Sequence, residues 1–417
     1  MREPLEKIKG PGLGAAFDVG TTTLVAALVD LESRIVLATE SLSNPQAEWG
    51  RDVIARMEAA VGGKETLTAL TAAIRGACAQ LLASLAGDRI SEVTAAAAAG
   101  NSVMEHLFLG VSPEPLSRVP YKPAFKEAVT IDAEESGLGI SCGLYLFPLI
   151  GGFVGGDAVA VALSLGMPGE SSPVLAIDIG TNSEILLSSG GTLYATSAAA
   201  GPAFEGGEVE HGMMAAPGAI QGVKIEGDTI ILDVIGDLTP RGICGSGLIE
   251  AASALLKAGV IDKTGRIRDR GEIPNNLSSR IKANTDGNSF ILYRGPKKEI
   301  ALTQGDIRAL QTAKSATRAA VTMLLMKAGI GPEDVETVYI AGAFGSHLRE
   351  EGLRAIGLLD DAWTDIRTIG DAALEGAILA LDASKRHEAE TIARQARYVS
   401  LSGSAHFERE FLKNMNF

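Results

Sequence analysis

The chain has 417 residues, more than one compact domain usually holds, and this length predicts two or three domains. Its 37 basic and 51 acidic residues give a formal net charge of -14, which argues against the basic face that nucleic-acid binding needs. Hydrophobic residues make up 46% and charged residues 21% of the chain, which favours a folded protein with a sizeable core over disorder.

The cysteines and the first residues indicate the compartment. Cys78, Cys142 and Cys244 form no C-x-x-C pair, no disulfide framework and no four-thiolate iron–sulfur site within one chain. The first residues are charged and lack the apolar stretch of a signal peptide, and no uninterrupted apolar run is long enough to span a bilayer. We therefore expect a cytoplasmic protein that uses neither a membrane nor a nucleic acid.

In the first part of the chain, a charged lead-in at 1–13 precedes a strand, a tight turn and a second strand at 15–30. A short strand at 35–39 follows, and the stretch 111–148 is Pro-rich and predicted to be irregular. The other predicted elements of this part are helices at 51–61, 65–86, 102–109 and 156–166 and a strand at 92–99.

The second part begins in the same way, with a strand, a turn and a strand at 174–187. A charged, turn-rich stretch at 261–299 is predicted to be the edge of an inserted subdomain. The other predicted elements are helices at 246–258, 303–328 with Thr303 as N-cap, and 371–383, a buried strand at 337–341, and a tail with an amphipathic end.

The tetrad Asp-x-Gly-Thr occurs twice, at Asp18 and at Asp178, each time between two predicted strands. The simplest account is a repeat of half the molecule. The alternative is a short hairpin motif that two segments share by chance.

The first of these turns has the composition of an anion-binding site. Gly20 lets the backbone turn sharply, its successive N–H groups can form a nest for an anion, and Thr21, Thr22 and Thr23 add hydroxyl donors. Asp18 would repel a phosphate, and its natural role is to hold Mg²⁺ through water. Each turn alone also fits an ordinary type I′ hairpin, but two copies at matching places favour two hairpins that grip one polyphosphate.

A third element is the Gly-rich strand end Gly342-Ala343-Phe344-Gly345, where a flat ring or a ribose can approach the backbone. The order of hairpin, small-residue helix, hairpin and Gly-rich strand end resembles the ATPase superfamily of actin, sugar kinases and seventy-kilodalton heat-shock chaperones. The resemblance implies an α/β, two-lobed actin-like ATPase fold of duplicated ribonuclease-H-like domains with inserted subdomains. The implied division is a lead-in at 1–13, a first lobe at 14–172, a second lobe at 173–385 and a tail at 386–417 that packs back on the lobes.

That resemblance also implies roles for individual residues. Asp157, on the helix that connects the two hairpins, falls where the chaperones carry a Glu near the metal, and it would polarise the attacking water. Asp18 and Asp178 would hold Mg²⁺ through water and surround the reaction with Asp157. The implied ATP-binding residues are Gly20, Thr21, Thr22, Thr23, Gly180, Thr181 and Asn182 for the phosphates, Gly206 and Gly207 for ribose and phosphate, and Gly342, Ala343, Phe344, Gly345, Gln311 and Lys314 for adenosine.

Several further motifs sharpen the match. They are Asn44-Pro45-Gln46, Gly50-Arg51-Asp52, Gly100-Asn101-Ser102, Gly201-Pro202-Ala203-Phe204-Glu205-Gly206 and Gly242-Ile243-Cys244-Gly245. Together they resemble the ATPase part of the reductive activators of corrinoid proteins. The resemblance implies an enzyme that couples ATP binding and hydrolysis to the one-electron reduction of an inactive Co(II) corrinoid iron–sulfur methyl-carrier protein to Co(I).

The sequence departs from that family where an N-terminal, cysteine-rich, ferredoxin-like module would supply the electron. Either the ATPase part is excerpted, or the redox module is a separate polypeptide, or this member has another function. The implied cofactors are ATP and Mg²⁺, with no iron–sulfur cluster on this chain; a cluster shared between two subunits through Cys244 is the alternative. A homodimer is a further expectation from the resemblance.

Three other functions stay open at this point. A small-molecule kinase of the same fold would need an acceptor pocket and a base, and an ATP-gated activator could serve another low-potential metalloenzyme. A scaffold that only changes shape on nucleotide binding would release no phosphate.

Overall fold

The computed structural model describes residues 12–170, 172–296, 298–342 and 348–417. The helices are α1 (Val53–Val61), α2 (Lys64–Ala86), α3 (Ser102–Leu109), α4 (Ala133–Ser136), α5 (Gly156–Leu165), α6 (Gly245–Lys257), α7 (Gln304–Ala328), α8 (Glu350–Ala355), α9 (Ala372–Leu379), α10 (Ala383–Gln395) and α11 (Ala405–Lys413). The strands are β1 (Leu13–Val19), β2 (Thr23–Asp30), β3 (Val36–Ser43), β4 (Val93–Gly100), β5 (Val129–Ile131), β6 (Leu144–Leu146), β7 (Val174–Asp178), β8 (Asn182–Ser189), β9 (Thr192–Ala199), β10 (Ala219–Glu226), β11 (Thr229–Val234), β12 (Gly242–Ile243), β13 (Ile281–Lys282), β14 (Ser289–Arg294), β15 (Glu299–Thr303), β16 (Thr337–Ala341), β17 (Asp365–Thr368) and β18 (Arg397–Tyr398).

These elements divide between two compact units. Unit 1 takes the described residues of Met1–Pro173, Leu186–Thr196 and Asp371–Ser400. Unit 2 takes those of Val174–Ile185, Ser197–Gly370 and Leu401–Phe417.

The centre of unit 1 is a six-stranded sheet in the order β3-β2-β1-β4-β6-β5. β1 is antiparallel to β2 and parallel to β4, and in this register Asp18 lies opposite Ala99 and Val19 opposite Gly100. The carboxyl ends of β1 and β4 therefore meet at one edge, which is where ligands bind in parallel sheets.

The two short strands β5 and β6 lie in the stretch 111–148, which the sequence predicts to be irregular. They are three residues each, and β6 is held by parallel pairing with β4, far away in the sequence. Local propensity does not reveal such strands, because their stability comes from tertiary pairing. β3 likewise extends to Ser43, four residues beyond its predicted end.

One helical segment of the described residues, Lys64–Glu92, is long and apolar enough to cross a bilayer by length and composition alone. Within the fold it packs against β2 and α3. Leu70, Ile74, Cys78 and Leu81, at helical spacing, form its buried face. That is the arrangement of an amphipathic core helix.

Small residues let α5 and α9 pack closely within unit 1. A Cβ at Gly376 on α9 would overlap the carbonyl and Cα of Ala160 on α5. The small-residue character of α5 therefore serves helix packing inside this unit.

We expect Gly376→Ala to lower the free energy of unfolding by about 2–3 kcal/mol, because the added methyl group forces two packed helices apart. Chemical denaturation measures this change. Gly370→Ala is the matched control, since a Cβ there would meet nothing within 4 Å. Equal stability of the two variants would contradict the close packing.

Unit 2 repeats the strand arrangement around the second turn. β17, β16 and β7 lie side by side in parallel, and Asp178 at the end of β7 lies opposite Ala341 at the end of β16. The three-stranded sheets β11-β10-β12 and β13-β14-β15 are added to this unit.

The long helix α7 begins after Thr303, as the sequence predicts. The Thr303 hydroxyl accepts from the Asp306 backbone N–H at 3.1 Å, and the Asp306 carboxylate accepts from the Thr303 N–H at 2.8 Å. This reciprocal capping box satisfies two backbone donors that a helix start otherwise leaves unpaired. α11 then packs against α7.

Candidate functional site

The first Asp-x-Gly-Thr turn joins β1 to β2 in unit 1. A Cβ at Gly20 would overlap the carbonyl oxygen of Thr23, so only glycine fits this turn. Asp18 is half-buried at the end of β1, and Thr21 is 6% exposed. The turn is thus a tight loop at the sheet edge where a ligand can approach the backbone.

Two buried asparagines hold this turn in place. The Asn101 side-chain amide donates to the Thr21 hydroxyl at 2.9 Å, and its carbonyl oxygen accepts from the N–H groups of Val103 and Met104 at the start of α3. The Asn44 side-chain amide donates to the Gly20 carbonyl at 2.9 Å. Every polar atom of the Asn101 side chain is therefore used, some to cap a helix and one to orient the turn.

We expect Asn101→Ala and Asn101→Ser to separate these two roles of Asn101. Serine keeps a helix cap but loses the bond to Thr21, whereas alanine loses both and costs about 1 kcal/mol of stability. Both variants should weaken ATP binding by at least about fivefold, which corresponds to about 1 kcal/mol. Calorimetric titration and chemical denaturation test this; tight ATP binding by Asn101→Ser would contradict the role in orienting the turn.

Asp157 lies in the first turn of α5, and α5 starts directly against the end of β4. A Cβ at Gly155 would overlap the carbonyl of Gly100 and the backbone of Asn101. Since Gly100 is also opposite Val19 of β1, the Asp18–Thr23 turn and Asp157 both adjoin the Gly100–Asn101 segment. Unit 1 therefore gathers these predicted residues around one strand end.

Asp157 is half-buried, and loss of hydration dominates its electrostatics. Loss of hydration raises the pKa of its carboxyl to about 7, although it accepts hydrogen bonds from backbone N–H groups, among them that of Ala158 at 2.7 Å. Loss of hydration also raises the pKa of Asp371, the N-cap of α9, to about 6. A carboxyl group with a pKa near neutrality is suited to accept a proton from water.

The second Asp-x-Gly-Thr turn joins β7 to β8 in unit 2. Asp178 is half-buried at the end of β7, and Asn182 is the first residue of β8. The Thr181 backbone N–H donates to the Glu205 carboxylate at 2.7 Å, and the Thr181 carbonyl accepts from Gly201 at 2.9 Å. Both residues beyond the turn belong to the Gly201–Gly206 motif, so that motif shapes the turn.

Gly206 and Gly207 end the short 3-10 turn that carries Glu205. Gly206 has a φ of 77°, and a Cβ there would lie 2.5 Å from the Met213 carbonyl. A Cβ at Gly207 would lie 2.5 Å from the Pro202 Cβ. Both glycines are therefore required by the local backbone, whatever they bind.

The Gly-rich strand end is described only in part. Gly342 follows β16 with a φ of 130°, a conformation that favours glycine. Ala343, Phe344 and Gly345 lie outside the described residues.

Gln311 and Lys314 lie on α7 and are 0% and 2% exposed. Gln311 donates to the Met415 carbonyl at 2.6 Å and to the Thr264 carbonyl at 3.1 Å. The Lys314 ammonium donates to the Asn416 carbonyl and lies 5.6 Å from the centre of the Phe417 ring.

Burial lowers the pKa of Lys314 to about 8, and the charge of Arg318 adds to the shift. Gln311 and Lys314, for which the resemblance implies adenine contacts, thus contact the last residues of the chain in this structure.

Among the described residues, no three His, Cys, Asp or Glu side chains gather closely enough to hold a metal ion. Cys78 and Cys244 are buried and Cys142 is half-buried, and all three are free thiols. Burial raises the pKa of Cys78 to about 12, so this thiol stays protonated.

Comparison with known families assigns both parts of the chain. Residues 13–170 match the RACo middle region, and residues 172–417 match the C-terminal domain of RACo, the ASKHA domain. The chain belongs to the RACo family. The expected fold class, the actin-like ATPase fold, is thereby confirmed, and it is a nucleotide-binding fold.

Individual RACo relatives agree with this assignment. Corrinoid activation enzyme RamQ of Eubacterium limosum is 34% identical, with 99% of this chain and 72% of that protein covered. The [Co(II) methylated amine-specific corrinoid protein] reductase of Methanosarcina barkeri is 28% identical over 97% of this chain and 77% of that protein. A solved structure, a reductive activator for corrinoid, iron–sulfur protein, is 35% identical with a TM-score of 0.90, over 98% of this chain and 66% of its own.

Four residues that contact the candidate site are not among the binding or catalytic residues that the sequence predicts. They are Asn44, Asn101, Glu105 and Glu205. Three of them stand in the motifs that carry the family resemblance. The available signal was an Asn or Glu next to Gly or Pro, which alone also fits an ordinary turn.

Proposed function

We propose that this chain binds and hydrolyses ATP and thereby drives the reduction of a Co(II) corrinoid protein to Co(I). The observation that carries the proposal is the similarity, over nearly all of this chain, to a corrinoid activation enzyme and a Co(II) corrinoid protein reductase. The ASKHA domain and the Asp18–Thr23 turn, which Asn44 and Asn101 hold in place, support the role of ATP. The chain spans 66–77% of the length of those relatives. The proposed electron donor is a ferredoxin-like iron–sulfur module or protein.

The reaction has two balanced parts. ATP and water give ADP and phosphate, and Co(II) takes one electron from a separate iron–sulfur protein to give Co(I). ATP can drive this reduction only if it binds one of two conformations of the protein more tightly than the other.

The phosphates are assigned to Gly20, Thr21, Thr22, Thr23, Gly180, Thr181 and Asn182. Backbone N–H groups and hydroxyls in tight turns stabilise the charge of the transferring phosphoryl group. The remaining nucleotide contacts are assigned to Gly206, Gly207, Gln311, Lys314, Gly342, Ala343, Phe344 and Gly345.

Asp157 is assigned to orienting and deprotonating the attacking water. Its pKa of about 7 keeps a large fraction of the carboxyl ionised at neutral pH while leaving it able to take a proton. Asp18 and Asp178 are single, half-buried carboxylates, and such groups fit a hard cation that keeps its own water. When bound with ATP, Mg²⁺ would neutralise phosphate charge, and these carboxylates would hold it through water.

The partner is a corrinoid iron–sulfur methyl-carrier protein, and the compartment is the cytoplasm. Free cysteines support a reducing compartment. A homodimer is the proposed assembly.

The assignment of Asp18 has a direct test. We expect Asp18→Ala to lose phosphate release from Mg-ATP, by at least about 100-fold, since it removes the carboxylate at the first turn. Asp88→Ala, an exposed site in the same unit, is the control. Near-normal turnover of Asp18→Ala would contradict the assignment.

A further inference from the structure

Glu105 is a buried acid that joins three elements of unit 1. It lies on α3 and is 1% exposed. Its Oε1 accepts from the backbone N–H of Gly100 at the end of β4, at 3.3 Å, and from the backbone N–H of Gly156 in the first turn of α5. Its Oε2 is buried and has no hydrogen-bond partner among the described residues.

The surrounding backbone is built to admit this carboxyl group. A Cβ at Gly156 would overlap Glu105 Oε1 and the Cβ of Phe147, so any other residue there would expel Glu105. Gly155 is restricted by its contact with Gly100 in the same way. Glycine at both positions is therefore explained by these close approaches, because a Cβ at either one would collide with the neighbouring segment.

Stability alone does not explain a carboxyl group at this position. Its hydrogen-bond partners are two backbone N–H groups rather than a cation, and burial together with the Asp157 charge raises its pKa well above the usual range. A buried acid without a counter-ion costs free energy that an apolar side chain of similar size would not.

The residue that gains from this arrangement is the neighbour of Gly156 in the chain, Asp157. We propose that Glu105 is a positioning residue that fixes the first turn of α5 against the end of β4 and so holds Asp157 in place. The proposal rests on the proposed function, because it takes Asp157 to act in ATP hydrolysis.

The consequence differs between binding and turnover. Asn44 and Asn101 contact the Asp18–Thr23 turn directly, whereas Glu105 reaches it only through Gly100, so we expect Glu105 variants to change turnover more than the affinity for phosphate. Water activation does depend on Glu105, because a misplacement of about 1 Å can cost about 100-fold in rate.

The test measures kcat for phosphate release, the Kd for ATP and the thermal unfolding midpoint for Glu105→Ala and Glu105→Gln. Glutamine keeps an acceptor oxygen for the Gly156 N–H, and alanine does not. We expect Glu105→Ala to lower kcat by at least about tenfold with the Kd within about threefold of the wild type, and Glu105→Gln to restore kcat to within about threefold. Glu134→Ala, an exposed site in unit 1, is the control.

A kcat of Glu105→Ala within about twofold of the wild type would overturn the proposal, and so would equal losses in both variants. If the alanine variant does not fold, Glu105→Asp replaces it, since a side chain shorter by one methylene withdraws from Gly156; wild-type kcat in that folded variant has the same meaning. Asp157→Ala in the same assay separates the two proposals. If Asp157→Ala is active, the proposed role of Asp157 is wrong. If Asp157→Ala is inactive and Glu105→Ala is active, only the proposed role of Glu105 is wrong.

Discussion

Replacing Asp157 by Asn is expected to reduce phosphate release by at least about 100-fold and to raise the free energy of unfolding at pH 8 by about 3 kcal/mol. Activity falls because an amide cannot accept the proton of the attacking water. Stability rises because the variant no longer buries a carboxylate whose pKa is raised to about 7 by lost hydration.

The sign of the pH dependence follows from the direction of that shift. The folded state binds the Asp157 proton more tightly than the unfolded state, whose pKa is near 3.8. The wild type therefore bears no cost at pH values below that, loses stability as the pH rises toward 7, and bears the full cost above it. The gain from Asn should accordingly be large at pH 8 and small at pH 4.

Urea denaturation at these two pH values measures the difference, with Asp88→Asn as an exposed control in unit 1. An unfolding free energy of Asp157→Asn that matches the wild type at both pH values would contradict the burial argument. Wild-type turnover would contradict the role in hydrolysis.

In unit 2, Lys314→Met is likewise expected to raise stability while it weakens a function, here ATP binding. Methionine removes a buried ammonium group and should raise the free energy of unfolding at pH 7 by about 2 kcal/mol. The lost bond to the Asn416 carbonyl and the lost contact with the Phe417 ring limit the gain. ATP binding should weaken by at least about fivefold if Lys314 contacts the nucleotide as proposed.

Here the pH dependence runs the other way from that of Asp157. The folded pKa of Lys314 is about 8, below the ordinary 10.5, so the folded state binds this proton less tightly than the unfolded state. The stabilisation by methionine should be complete below pH 8 and disappear as the pH rises toward 10.5. Lys327→Met, an exposed site on the same helix, is the control, and equal stability of both variants at pH 7 would contradict the prediction.

Asp157→Asn and Lys314→Met test, one in each unit, whether a destabilising buried charge has a function. A buried charge that lowers stability persists in a protein when it serves function, so such groups point to functional residues. Loss of activity together with a gain in stability is the signature that distinguishes these residues from structural ones.

The sequence predicted the two hairpins and the long helix α7 well, because their signals are local. Asp-x-Gly-Thr between two apolar runs indicates a hairpin, and Thr303 as N-cap indicates a helix start. The strands β5 and β6 were missed because β6 is held by pairing with β4, which is distant in the sequence. The end of β3 was missed because it is set by the length of the paired strand β2 and not by a local signal.

The parts of the site that sequence could not reveal depend on long-range contacts. Asn101 meets Thr21 across 80 positions of the chain, and Gln311 meets Met415 across 104. Glu105 becomes informative only when α5 and β4 are seen to leave room for it. A single sequence offers no periodicity or motif from which such pairs can be read.

The proposed function requires that ATP turnover on this chain be coupled to a corrinoid protein. The most direct measurement combines the chain with Mg-ATP, a Co(II) corrinoid iron–sulfur protein and a reduced iron–sulfur protein, and follows phosphate release and the Co(I) absorbance together. We expect Co(I) to form only with ATP, and we expect the corrinoid protein to raise phosphate release several-fold. Phosphate release that does not change when the corrinoid protein is added, with no Co(I) formed, would contradict the proposed coupling. ADP formation that depends on an added sugar or acid would indicate a kinase instead.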